Sequence, residues 1–159
     1  MRTLTLTTVL LLAFVAAASA QTATLDPCGL VTQAEIKAAI GMDVGVPKLN
    51  TTMGAAAGKL CDFQVGDIGA GGILLRTLPA VETPQRIRAE NEKAKIATSD
   101  AQGFGPGAFY AVGSYGVIQL NAFKGSTQVI VQLMLMTKPP DQVRAALAKL
   151  MTAVLPKVK

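Results

Sequence analysis

The sequence predicts an α+β fold, a single-domain sandwich in which helices pack on a mainly antiparallel sheet of about five strands, in the order α-β-β-α-β-β-β-α. Three observations carry that expectation. Apolar residues alternate with period two around Cys61, Ile118 and Val129, the pattern of half-buried strands. Val143, Leu147, Leu150 and Val154 recur at helical spacing near the end of the chain, a stripe that must be buried. Short turns join the neighbouring strand segments, which favours antiparallel pairing.

The chain opens with Arg2, an apolar run from Val9 to Ala18 and the small-residue exit Ala18-Ser19-Ala20. That order is an export signal with cleavage before Gln21. The run is shorter than the ~18 to 20 residues a spanning helix needs. Residues 1–20 are therefore expected to be a signal peptide and 21–159 one α+β domain, periplasmic or secreted, with no transmembrane segment in the mature chain.

Thr32 opens the first helix. Its hydroxyl is placed to accept from the amide of Glu35, Glu35 to reach back to Thr32, and Val31 to pack on Ile36. Gly41 supplies the left-handed stop. Two and a half turns are marginal alone, so this helix needs an anchor. Cys61 alternates with Phe63 and Val65 on a strand's core face, while Cys28 stands just before the helix. Two such cysteines in an exported chain point to a Cys28–Cys61 disulfide. A redox pair would instead use C-x-x-C, and a metal site would need ligands that a chain without histidine does not offer.

The stretch from Gly41 to Gly58 is poor in large apolar residues and reads as a mobile loop. Gly66 to Gly72 turns the Cys61 strand into a second strand over 73–78, ended by Pro79. Thr83 and Pro84 then start a solvated helix over 84–96, with Arg86–Glu90 and Arg88–Glu92 spaced to pair. Strands follow over 108–112, 115–123 and 127–136. In the last of them Ile130, Met134 and Met136 share a mixed face with Gln128 and Gln132. Asp141 begins the closing helix and Pro156 ends it.

Pro27-Cys28-x-Leu30-x-Thr32-x-x-Glu35, closed by Gly41 and followed by Cys61-x-Phe63, resembles the opening of small secreted or lipoprotein-type bacterial proteins of unknown function. Val31 stands where their second Leu is usual. The Gly103–Tyr110 turn and the closing hairpin and helix are similar to the same families. The resemblance implies a compact α/β sandwich similar to PsbP-like extrinsic proteins, with a structural disulfide and no assigned chemistry.

The formal charge is +5, from 15 Lys and Arg against 10 Asp and Glu, with the basic residues scattered and no tryptophan. A nucleic-acid surface gathers its cations and interleaves aromatics, so no nucleic-acid partner is expected. No cofactor is expected either: Gly103-Phe-Gly-Pro-Gly107 is followed by a strand where a phosphate loop needs a helix. The methionines read as core filler rather than thioether ligands, and no metal ligands are assigned. No catalytic residue is assigned. The favoured function is an exported non-catalytic binding or accessory protein, taking a protein partner or a small apolar ligand. Its site is the sheet's mixed face or the 103–115 region, where Phe104, Tyr110 and Tyr115 are the candidate ligand-binding residues. The alternative is a small periplasmic hydrolase or isomerase using a carboxylate or a tyrosine, Tyr110 or Tyr115.

Overall fold

The computed structural model describes residues 25–50, 58–66, 71–135 and 137–159. The expected signal peptide at 1–20, and Met136, lie outside the described residues. Alternating apolar positions build one sheet from β1 (Lys48–Asn50), β2 (Lys59–Gln64), β3 (Gly71–Pro79), β4 (Ala97–Asp100), β5 (Phe109–Val112), β6 (Ile118–Lys124) and β7 (Thr127–Leu135). The strands lie in the order β1-β2-β3-β7-β6-β5-β4 and every neighbouring pair is antiparallel. Two meanders, β1–β3 and β4–β7, thus meet along β3 and β7. Their register runs from Gly71 opposite Leu135 to Pro79 opposite Thr127.

The expected sheet of about five strands is too small, and the expected order lacks two elements. β1 and β4 are the additions, one at each edge of the sheet. Neither carries an apolar alternation, because β1 is exposed throughout and β4 reads Ala-Thr-Ser-Asp. Backbone hydrogen bonds to a single neighbour hold them, and such bonds leave no signature in side-chain pattern. β1 also replaces part of the expected mobile loop, where Val44 forms a further bridge with Val65.

α1 (Gln33–Ile40), α2 (Pro84–Lys93) and α3 (Pro140–Val154) complete the fold. α3 packs on β6 and β7, and α1 packs on α3, so both cover one face of the sheet. That face carries Cys61, Phe63, Ile73, Leu75, Leu120 and Val131, all buried. The expected stripe Val143, Leu147, Leu150 and Val154 is buried against it, joined by Met151. Large aliphatic side chains buried this way each contribute about 1.5–3 kcal/mol, and together they outweigh every polar contact in the domain.

Local signals end α1 as expected. Thr32 and Glu35 form a reciprocal capping box, and Gly41 closes the helix at φ +74°. The Cys28–Cys61 disulfide joins a 3-10 turn over Pro27–Gly29 to β2. With the two cysteines 33 positions apart, closing that loop contributes about 3–4 kcal/mol in the chain-entropy view. A second tie comes from the far end of the chain. Lys157 Nζ donates to both carboxylate oxygens of Glu35, at 2.9 and 3.1 Å, and Val158 beside it is buried. This ammonium, with the Thr32 amide, holds the Glu35 carboxyl below its ordinary value of 4.5.

α2 buries no residue and lies over the opposite face at β5. There the Arg88 guanidinium sits 5.5 Å from the centre of the Phe109 ring and pairs with Asp100 at 2.7 Å. The expected Arg86–Glu90 and Arg88–Glu92 pairs are replaced by Arg86–Glu82, Lys93–Glu90 and Arg88–Asp100. Exposed side chains choose the nearest countercharge in three dimensions, and helical spacing alone is worth only a few tenths of a kcal/mol. The helix also stops three residues before Ile96. Lys95 turns left-handed at φ +59°, its amide donating to Glu92 O and that of Ile96 to Asn91 O, a Schellman closure without its usual glycine.

Two outcomes follow from these ends. Lys95→Gly removes the side-chain penalty of the left-handed position and should raise stability by roughly 1 kcal/mol, seen as a higher urea midpoint at unchanged slope. Glu35 is depressed in the folded state, so its contribution is complete above its unfolded value and is lost as pH falls through the folded one. Urea midpoints between about pH 6 and about pH 3 should therefore fall less steeply for Glu35→Gln than for the parent chain.

Candidate functional site

The hairpin tip between β4 and β5 shapes the candidate site. Ala101 N donates to Ala108 O, which closes the tip, and Gly103-Phe-Gly-Pro-Gly107 reaches the end of β6, where a Cβ on Gly105 would stand 3.8 Å from Phe123 O. Gly107 has φ +80°, and a Cβ there would stand 2.5 Å from Pro84 Cγ, so the tip seats directly on the first residue of α2. Phe104 turns the other way. It is half-buried and packs against the main core.

Beside Phe104 a cleft of about 400 Å³ opens between this tip, the end of β6 and the end of α3. Phe104, Phe123, Leu155 and Pro156 make most of its wall apolar, and Thr152 and Lys124 supply the polar groups. The volume falls within the range of about 300–1,000 Å³ usual for small-molecule sites. Lys124 Nζ donates to Leu155 O at 3.0 Å and to Pro156 O at 3.5 Å, carbonyls of the 3-10 turn that follows α3, the first of which also accepts from Val158 N. Thr152 Oγ1 donates to Ala148 O, leaving its oxygen free to accept.

On the other side of the tip lies a polar hollow of about 520 Å³, around Gln85, Arg88, Asp100 and Gln102. A third concavity, about 240 Å³, lies on the face of the sheet away from α1 and α3. Leu60, Leu74 and Ile130 floor it, with Arg76, Gln119 and Gln132 around them. There Gln119 Nε2 donates to Gln132 Oε1 at 2.8 Å. This is the mixed face expected from the β7 pattern, and α2 covers it only towards β5.

The three candidate aromatics are placed apart. Phe104 lines the cleft. Tyr110 lies on the helix-covered face opposite Leu120, with the Arg144 guanidinium 5.4 Å from its ring centre; partial burial pushes its phenol up from 10.0 and Arg144 opposes the shift. Tyr115 stands beyond the other end of β5, exposed and left-handed at φ +58°. Lys124, Thr152, Leu155 and Pro156 join Phe104 instead. In the sequence Lys124 reads as a turn residue and Leu155-Pro156 as a helix stop, and only the packing of α3 on β6 brings them together.

Among the described residues no cluster of three or more Asp, Glu or Cys side chains gathers to hold a metal, and no helix is long and apolar enough to cross a membrane. The described carboxylates are exposed except Glu35, which is bound to Lys157. None of them lines the Phe104 cleft.

No family model and no curated protein matches this chain. Among solved structures, the crystal structure of the extracellular domain of PknH from Mycobacterium tuberculosis is similar over 80% of this chain and 93% of that one, at 14% identity and a TM-score of 0.46.

The wall of the cleft yields a test of its own. Gly103 and Gly107 are both left-handed, at φ +86° and +80°, but a Cβ at Gly103 meets nothing within 4 Å. Gly107→Ala should lower stability by roughly 1–3 kcal/mol and Gly103→Ala by about 1 kcal/mol, compared by urea unfolding. Equal losses would show that the Pro84 contact does not set the position of the tip.

Proposed function

We propose that this chain is an exported, non-catalytic binding domain that takes a small apolar ligand into the Phe104 cleft. The observation that carries this reading is the cleft itself, a mostly apolar opening beside the main core. A concavity with mostly apolar walls and a few convergent polar groups is the usual form of a small-molecule site. Export is supported by the disulfide, a bond that persists in oxidising compartments. The signal-type opening and the resemblance of the Pro27–Gly41 head to secreted bacterial proteins support it further.

Titration of the purified, oxidised protein with the neutral fluorescent probe N-phenylnaphthylamine tests the reading. Saturable binding to one site is expected, weakened about tenfold in Phe104→Ala, which corresponds to about 1.4 kcal/mol. Absence of saturable binding, or equal affinity in the variant, would overturn the assignment of the site.

A further inference from the structure

We propose that the Phe104 cleft selects amphiphilic monoanions, an aliphatic chain ending in one acidic headgroup held by Lys124. This rests on the apolar-cleft reading and adds the chemistry of the ligand's polar end. Among the described residues that line the cleft there is no Asp or Glu, and Lys124 is the one charged side chain. Lys124 is in no ion pair among the described residues, its recorded partners being the carbonyls of Leu155 and Pro156.

Two opposing charges meet at this spot, and their magnitudes decide the sign. The end of a helix carries about half a negative charge spread over its last carbonyls. The ammonium carries a full positive one, so the rim is left net positive. An ammonium has three N–H donors. Two are directed at carbonyls, the second weakly at 3.5 Å, which leaves one for a ligand oxygen. One cation matches a single negative charge; a doubly charged head would leave its second charge facing the carbonyl end of the helix. The hollow across the hairpin tip offers no such surplus, since Arg88 there is already paired with Asp100. The acidic end is therefore drawn to the Lys124 side, and the chain lies along Phe104, Phe123 and Leu155.

Displacement of bound N-phenylnaphthylamine by decanoate, decanol and decylamine, each below its micelle concentration and at low salt, tests the inference. Decanoate is expected to bind at least tenfold more tightly than decanol, with decylamine weakest. Lys124→Met should bring the acid-to-alcohol ratio close to one, and Lys124→Arg should preserve it. The ratio in the unaltered protein is informative even where Lys124→Met unfolds. Equal affinity for acid and alcohol, or tighter binding of the amine, would overturn the anion selectivity while leaving the apolar site standing. Failure of all three compounds and of the probe would remove the site itself.

Discussion

The antiparallel pairing of β3 with β7 is the constraint on which the rest of the molecule depends. It joins two meanders that are otherwise local in sequence, and it sends the chain from the end of β3 across to the far edge before β4 begins. The register also sets the faces. Ile73 and Leu75 lie opposite Leu133 and Val131, all four buried, so a slip of one residue would turn this set away from α3. Because β7 is central, β6 lies next to it, and the end of β6 arrives under the end of α3. The Phe104 cleft exists only because of that meeting.

Around α1 several weaker effects act together, and their sizes rank them. The disulfide contributes about 3–4 kcal/mol and the threonine cap about 1 kcal/mol, whereas a partly exposed pair such as Glu35–Lys157 adds less than either. Apolar burial of Ile36 and Ile40 outweighs the last two. The ion pair has a different use: it fixes where the end of the chain lies relative to the helix start, next to the buried Val158.

Legibility followed the range of the interactions. The capping box at Thr32 and Glu35, the stop at Gly41, the stripe on α3 and the inward faces of β2, β6 and β7 are written in neighbouring residues, and each was readable. The Cys28–Cys61 bond was readable because an export-type opening and an inward-facing Cys61 left few alternatives. β1 and β4 were not, since an edge strand is held by its neighbour's backbone and its exposed side chains carry no pattern. The cleft was half legible: Phe104 stood out beside its glycines, but Lys124 and Leu155 are 31 positions apart and meet only in the folded chain. Tyr110 and Tyr115 share a short segment with Phe104, yet Phe104 precedes β5, Tyr110 lies within it and Tyr115 lies beyond its far end.

α2 joins the two meanders without burying any side chain of its own. The segment between Pro79 and Ala97 is thus structurally a bridge rather than a brace, fastened at Pro84 by Gly107 and at Arg88 by Asp100 and Phe109. Its exposed positions touch neither the buried face nor the cleft, whereas Pro84 and Arg88 tie it to the hairpin tip and to β4. The exposed side of this bridge can therefore be resurfaced by substitution while the architecture beneath it stays the same.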